Sequence, residues 1–137
     1  MNAPTDNQEF DFTDMLQYKL ERLQIWRAYI EKALARNDSM STFTDVVKSI
    51  LINERVLFDN GEAFAIVQPD THEKGTALFV FIAGGRLKAL YALENTLTDY
   101  ARHIGACRMT GLARDGFIKR HTPGWKLTKQ TWMTKEL

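Results

Sequence analysis

The sequence has few of the features that mark secreted, disulfide-bonded or membrane-spanning chains. Cys107 is the only cysteine, so no disulfide can form within the chain. No apolar run approaches the roughly 20 residues that a bilayer-spanning helix needs. Residues 1–10 are polar and acidic, without the basic and apolar regions of a secretory signal. These absences predict a cytosolic origin, with Cys107 as a buried, unreactive thiol.

Motifs of several common enzyme classes are also missing. We find no Ser/His/Asp order, no Walker sequence and no spacing of His, Cys, Asp or Glu that is typical of a metal site. The three histidines are His72, which adjoins Glu73 in a predicted loop, and His103 and His121, which have no evident partner. We therefore predict that all three are surface residues and not catalysts.

The composition is that of a packed globular chain. Of 137 residues, 45% are hydrophobic and 26% are charged, which excludes intrinsic disorder and predicts one core with an appended element. The net charge of +1 is spread unevenly. Residues 1–85 hold 8 Lys and Arg against 13 Asp and Glu, and residues 86–137 hold 10 against 4. This asymmetry indicates either a surface that faces a polyanion or charge-complementary self-association, unless it only reflects solvated faces that differ.

The N-terminal third predicts a flexible arm at residues 1–10 and a long amphipathic helix at 11–37. The apolar residues of this helix recur three or four apart from Phe12 to Leu34, which lines one face. Tyr18, Ile25 and Tyr29 lie outside that face and widen the apolar stripe beyond the ~100° that one core contact needs. We expect these three residues to form an interface with a partner outside their own domain.

Residues 42–75 predict a second helix and a pair of strands. Thr42 and Asp45 form a capping box at the start of the helix. Strands are expected at 55–58 and 63–68, joined by the turn residues Asp59, Asn60 and Gly61. A polar loop is expected at 69–75.

The segment from Thr76 to Thr110 predicts a parallel crossover. The apolar run TALFVFI at 76–82 is expected to be a central strand covered on both faces. A helix at 86–104 ends at Gly105, and a short strand follows at 106–110. A short helix at 112–120 and an extended segment at 125–137 complete the pattern. The predicted core consists of Leu78, Phe79, Val80, Leu90, Leu97 and Ile104.

Residues 42–137 resemble the acetyltransferase-like (GNAT-like) domain found in small proteins of tailed bacteriophages. The matching pieces are TALFVFIAGG, the helix end LTDYARHIGAC, the stretch GLARDGFIKR, and Pro-Gly-Trp at 123–125 followed by a final Lys-Glu-Leu. The resemblance implies an α/β (α+β) fold with a mixed sheet flanked by helices. The long N-terminal helix would be an addition to it.

In that family, a glycine-bearing loop after the central strand leads into a helix whose N-terminus holds the pyrophosphate of acetyl-CoA. The residues at this place are Gly84, Gly85 and Arg86, which are therefore the candidate cofactor-binding residues. The family motif reads Gln/Arg-x-x-Gly-x-Gly/Ala. With Gly84 as its central glycine, Phe81 stands where Gln or Arg belongs and Arg86 where Gly or Ala belongs. The alternative is that the glycine pair only permits a tight turn between strand and helix.

The chemistry of acetyl transfer also requires a general base and a general acid. The strand TALFVFI contains no acidic residue. Phe117 occupies the place where the family has its tyrosine acid, and Glu62 is the one candidate for a distant base. We therefore predict no catalytic residues and no metal site.

Three functional hypotheses follow. The first is a non-catalytic phage protein without a cofactor, acting in the virion or the host cytoplasm as a minor internal, ejection or head-assembly component. Its partners would be phage structural proteins or further copies of itself, with DNA close to the basic C-terminal region. The second is an active acetyl-CoA-dependent N-acetyltransferase. The third is a small nucleic-acid-binding module.

Overall fold

The computed structural model of the chain describes residues 12–37, 39–111, 124–125 and 135–136. None of the helices in these segments is long and apolar enough to cross a membrane. The elements, in chain order, are α1 (Phe12–Ile25), α2 (Arg27–Arg36), α3 (Phe43–Leu51), β1 (Val56–Asp59), β2 (Ala63–His72), β3 (Gly75–Gly85), α4 (Leu87–His103) and β4 (Ala106–Gly111).

The predicted single N-terminal helix is two helices that meet at Trp26. The backbone of Trp26 has φ −92° and ψ 4°, which departs from helical geometry. Its indole is nevertheless buried and lies on the ring of Phe64, with 4.7 Å between ring centroids. The prediction of one continuous helix was therefore wrong at this residue, although the Trp26 N–H still donates to the Arg22 carbonyl oxygen and the Ile30 N–H to that of Trp26.

The start of α3 and the turn after β1 agree with the sequence prediction. The Thr42 side chain accepts a hydrogen bond from the Asp45 backbone N–H, and the Asp45 carboxylate accepts one from the Thr42 N–H. These bonds lower the pKa of Asp45. Between β1 and β2, Gly61 has φ +94°, a value that favours glycine over other residues.

The described strands form one mixed sheet in the order β1-β2-β3-β4. β1, β2 and β3 are antiparallel neighbours, and β4 runs parallel to β3. The loop predicted at 69–75 is wrong. β2 continues to His72 and pairs there with Gly75, so only Glu73 and Lys74 form the turn. The polar residues here belong to a strand end that is largely exposed because it extends beyond the covered part of the sheet.

A β-bulge in β3 changes which of its side chains point to each face of the sheet. Ile66 pairs with Ile82 and Val67 with Val80, so Phe81 is the extra residue. One face of the sheet packs on α1, α2 and α3 through Phe64, Ile66 and Ile82. The other packs on α4 through a second cluster: Ala63, Ala65, Val67, Leu78, Leu93, Leu97 and Ala101. The described strands therefore lie between two apolar layers, as predicted for the central run.

The strand–helix–strand unit from β3 to β4 is confirmed, including the parallel pairing and the end of α4 shortly before Gly105, which has φ +78°. Of the predicted core, Leu78 and Leu97 are buried. The others are half-buried: Val80, Leu90 and Ile104 pack on the α4 cluster, and Phe79 contacts the ring of Phe81. These four side chains are therefore less buried than the sequence analysis predicted.

Cys107 is exposed, so the prediction of a buried thiol was wrong. The register between β3 and β4 shifts at this point. Thr76 pairs with Ala106 and Ala77 with Arg108, which leaves Cys107 without a partner on β3. Its neighbours Ala106 and Met109 pack on the core instead. The helix expected at 112–120, most of the extended segment at 125–137, and the residues Phe117 and His121 lie outside the described residues.

Candidate functional site

The loop that joins β3 to α4 contains the three candidate cofactor residues. Gly84 lies beneath two aromatic rings of the chain itself. A Cβ atom placed on Gly84 would come within 2.9 Å of Tyr29 Cδ1 and 3.0 Å of Phe64 Cε1. The ring of Tyr29 and the ring of Phe64 are 6.3 Å apart and nearly perpendicular. A glycine is therefore needed at position 84 so that α2 can pack across the end of β3.

Gly85 is required by the backbone. Its φ is +116°, and an added Cβ would come within 2.4 Å of the Glu62 carbonyl oxygen and 2.5 Å of Ala63 Cα. Directly after it, the backbone N–H of Arg86 donates to the same Glu62 carbonyl oxygen over 3.0 Å. The glycine pair is thus explained by the tight approach of this loop to the turn before β2.

The Arg86 side chain lies at the N-terminus of α4 and contacts the turn before β2. Its Nη1 atom is 2.6 Å from Glu62 Oε1, and both side chains are exposed. The Asn60 side-chain amide donates to the Ala89 carbonyl oxygen over 3.0 Å. Together they border a shallow depression that is lined by Asn60, Glu62, Arg86, Lys88, Ala89 and Ala92. Here the structure brings predicted site residues beside other charged groups.

The other candidate catalytic groups are scattered. Glu62, considered as a distant base, is the ion-pair partner of Arg86. His72 Nε2 lies 3.5 Å from the Asp70 carboxylate in the β2–β3 hairpin, and His103 is exposed at the far end of α4. Within the described ranges, no group of three or more His, Cys, Asp or Glu side chains could hold a metal ion.

The three predicted interface residues are all exposed on one side of α1 and α2. The exposed fraction is 59% for Tyr18, 60% for Ile25 and 52% for Tyr29, and Met15 adds 42%. We call Met15, Tyr18, Ile25 and Tyr29 the outer stripe. The inner face of the same helices is buried through Leu23, Trp26, Ile30 and Leu34. Met15, Tyr18 and Ile25 therefore give these helices a second exposed apolar surface, at whose edge the half-exposed ring of Tyr29 also packs on Trp26 and Phe64.

An ion pair that the sequence analysis missed holds α1 to the sheet. Asp59 accepts from Arg22 Nε at 2.7 Å, from Arg22 Nη2 at 3.1 Å and from Trp26 Nε1 at 2.8 Å. The Gly61 N–H donates to the same carboxylate at 2.6 Å. Burial alone would raise the pKa of Asp59, but these four hydrogen bonds outweigh it and lower the pKa. The Arg22 pKa is raised, chiefly by its bond to Asp59.

Sequence alone could not reveal this ion pair, because Arg22 and Asp59 are 37 positions apart and neither belongs to a recognisable motif.

A second residue that the sequence analysis missed is Arg55. Its guanidinium lies 4.0 Å from the centroid of the Phe81 ring and donates to Gln68 and Ser49. Burial lowers its pKa. The bulge that turns Phe81 towards this face has no sequence signature.

Solved structures with a similar fold share little sequence with the chain. One, described as a "probable acetyltransferase", has a TM-score of 0.61 and 13% identity, over 86% of this chain and 94% of that one. The protein TTHA1254 of Thermus thermophilus has a TM-score of 0.51 and 17% identity, over 70% of this chain and 80% of that one. A point mutant of the same protein has a TM-score of 0.53 and 16% identity, over 72% of this chain and 82% of that one. No protein-family model and no curated protein matches the sequence. The chain has a mixed α+β fold that is similar to an acetyltransferase fold.

Proposed function

We propose that the chain is a non-catalytic binding protein built on an acetyltransferase-like fold, and that it acts through protein–protein contacts of the outer stripe. The observation that supports this most strongly is the exposure of Tyr18, Ile25 and Tyr29 together on two adjoining helices. Large apolar side chains grouped on a surface are typical of interaction sites. Tyrosine is also enriched at such sites, because it combines a large apolar ring with a polar end.

The geometry of the β3–α4 loop supports the non-catalytic part of the proposal. A loop that cradles phosphates directs free backbone N–H groups at the ligand and uses glycines for close approach. Here the Arg86 N–H is bonded to Glu62, and Gly84 is covered by Tyr29. The Glu62 carboxylate also stands beside Arg86, so a diphosphate would meet a negative charge there. We infer that the residues of this loop do not fit the pyrophosphate of acetyl-CoA.

For the biological setting, we propose a minor component of a phage virion, either internal or involved in head assembly or ejection. The support is the resemblance of residues 42–137 to small proteins of tailed phages. Mass spectrometry of purified particles tests the setting. We expect the chain in a constant ratio to the major structural proteins through successive density gradients. Its presence only in the soluble lysate would contradict the assignment.

An acetyl-CoA-dependent N-acetyltransferase remains the second candidate. The observation in its favour is the depression at the N-terminus of α4, where Arg86 and Lys88 add two positive charges to the partial positive charge of the helix end. One of the similar solved structures is itself described as a probable acetyltransferase. This candidate requires Arg86 to exchange Glu62 for the cofactor.

Calorimetric titration with acetyl-CoA separates the two candidates. We expect no measurable heat for the wild-type chain up to millimolar cofactor. Arg86→Ala with Lys88→Ala is the site variant, and Arg108→Ala with Lys74→Ala is a charge-matched control away from the depression. A micromolar Kd that the site variant loses and the control retains would overturn the inference that this loop does not hold acetyl-CoA, and would favour the enzyme.

A further inference from the structure

Arg55 is a half-buried cation whose direct partners in the described part of the chain are all neutral. Its Nε atom donates to Gln68 Oε1 over 3.0 Å, and its Nη1 atom donates to Ser49 Oγ over 3.3 Å. The guanidinium carbon lies 4.0 Å from the centroid of the Phe81 ring. The Nη2 atom makes no such bond, and no fully buried side-chain nitrogen among the described residues lacks a partner. Nη2 therefore reaches the solvent, where it can meet a ligand.

The acidic residues around Arg55 leave its charge unpaired. Burial lowers the pKa of Arg55, and attraction to Glu54 and Asp45 opposes that effect less strongly. Neither carboxylate is among the ion pairs of the described residues, which extend to an N–O distance of 4.0 Å. Asp70, farther along β2, lies 3.5 Å from His72 Nε2 instead. A partly desolvated charge without a counter-ion is unfavourable, so an external anion would stabilise it.

Arg55 begins a row of half-buried side chains that crosses the described sheet. It directly precedes β1 and contacts Gln68 of β2. Gln68 pairs with Phe79 of β3, and Phe79 pairs in turn with Thr110 of β4. The strand neighbours of these residues pack on the α4 cluster: Val56, Val67, Leu78 and Met109. Because successive side chains of a strand point to opposite faces, the row lies on the face that also holds α1, α2 and α3.

The ring of Phe79 has an arginine on each side. Arg55 stands on its β1 side, with the guanidinium on the Phe81 ring, whose centroid is 6.3 Å from that of Phe79. Arg108 stands on its β4 side. It is exposed and lies two positions before Thr110, so it points to the same face. This face of the sheet therefore presents a half-buried aromatic ring between two positive charges.

We propose that this face binds single-stranded nucleic acid, with a base stacked on Phe79 and phosphates at Arg55 and Arg108. Bases stack on aromatic rings, and several nucleic-acid-binding folds carry such rings on an open sheet face. A polymer has a phosphate on each side of every base, which matches a ring between two cations. A free nucleotide has its phosphate on one side, and a duplex keeps its bases stacked inside. The inference concerns a surface other than the outer stripe and does not rest on the proposed function.

Fluorescence anisotropy with a labelled oligothymidylate of about 12 nucleotides tests the stacking. Phe79→Leu keeps an apolar side chain but removes the flat ring, and should weaken binding about fivefold or more. The matched control is Phe58→Leu, which makes the same change at a half-buried ring on the α4 face and should bind like wild type. A wild type that shows no binding up to about 1 mM protein, or equal affinities of the two variants, would overturn the proposal.

The salt dependence of the same binding tests the arginines. Each phosphate neutralised on a single strand adds about 0.7 to the magnitude of the slope of log K against log salt. Arg108→Gln should therefore reduce this magnitude by about 0.7. Arg102→Gln removes the same charge from an exposed residue of α4 and should leave the slope unchanged. Because both arginines are exposed, this comparison holds even if Phe79→Leu does not fold. Equal slopes in the two variants would contradict the proposed phosphate contact and overturn the proposal.

Competition separates a single strand from other anions. We expect the unlabelled strand to displace the labelled one at least about tenfold more effectively, per anionic group, than a duplex, polyglutamate or thymidine monophosphate. Equal displacement by any of these three competitors would overturn the proposal, because none of them offers Phe79 an unpaired base with a phosphate on each side. These measurements leave the outer stripe and acetyl-CoA untouched, so failure here and failure of the proposed function are distinguishable.

Discussion

The helices on the two faces of the sheet differ in how much apolar surface they expose. α4 buries Leu93, Leu97 and Ala101, and none of the exposed large apolar side chains among the described residues lies on it. α1 and α2 bury an equivalent inner face but also expose Met15, Tyr18, Leu20, Ile25 and Tyr29. α4 therefore has one apolar face and α1–α2 have two, although both pack on the same sheet.

This difference separates the requirements of folding from those of recognition. A helix that only completes a core needs an apolar stripe little wider than ~100°. α4 exposes none of the large apolar side chains that the described residues expose, and α1–α2 expose five. We therefore assign the proposed function to the outer stripe of α1 and α2. The glycines of the loop before α4 are explained by packing within the chain.

The largest effects are expected where the two faces are alike. Ile30→Ala on α2 and Leu97→Ala on α4 each remove a buried aliphatic side chain, and each should lower the free energy of unfolding by about 2–5 kcal/mol. Urea unfolding measures both. A loss below about 0.5 kcal/mol at either position would show that the corresponding helix face is misassigned.

The role of Gly85 can be tested against a second glycine with positive φ. Gly61→Ala carries only the backbone strain, since nothing lies within 4 Å of its added Cβ. Gly85→Ala adds a collision with Glu62 and Ala63 and should cost more than the ~1–3 kcal/mol of strain alone. Equal losses in thermal unfolding would mean that the loop has room for a side chain, and that the positive φ of Gly85 alone explains the glycine.

The Arg22–Asp59 pair distinguishes the α1–α2 face from the α4 face electrostatically. Asp59→Asn leaves Arg22 without its carboxylate and should cost about 1–3 kcal/mol at pH 7. Because folding lowers the pKa of Asp59, its ionised form stabilises the fold above the ordinary value near 4. That contribution is lost as the pH falls through the lowered value.

Unfolding of wild type and Asp59→Asn at pH 7 and below pH 3 measures this contribution. The difference between the two proteins should shrink at the lower pH. A difference that is independent of pH would contradict the assignment of the bond to the ionised carboxylate. Asp45→Asn is a suitable control, because its carboxylate also has a lowered pKa but lies in a capping box far from Arg22.

Local patterns in the sequence predicted much of this fold. Thr42 with Asp45, the Asp59–Gly61 turn, the apolar run before Gly84 and the stop at Gly105 are each determined by neighbouring residues. The sequence therefore indicated most elements and the strand–helix–strand unit. The break at Trp26 and the exposure of Cys107 could not be predicted this way, since the first lies where the side chain contacts the distant Phe64 and Asp59 and the second follows from a register shift between strands.

The candidate site likewise has features that local sequence patterns predict and features that they do not. The exposure of Tyr18, Ile25 and Tyr29 could be predicted because helical periodicity alone places them off the inner face, whereas their role as an interface stays a prediction. The true surroundings of Gly84 could not, because the ring above it comes from Tyr29, 55 positions earlier. A glycine pair between strand and helix suggests a phosphate loop and a tight packing contact equally well until the tertiary structure is known.

The smallest expected effect tests the central claim, which is that the fold does not use Tyr18 and Ile25 of the outer stripe. Tyr18→Ser with Ile25→Ser should change the free energy of unfolding of the monomer by less than about 0.5 kcal/mol per substitution. The measurement is urea unfolding at low micromolar concentration, where self-association does not contribute. If the double variant instead loses about 2 kcal/mol or more, a value typical of buried side chains, the stripe belongs to the core and the account is wrong.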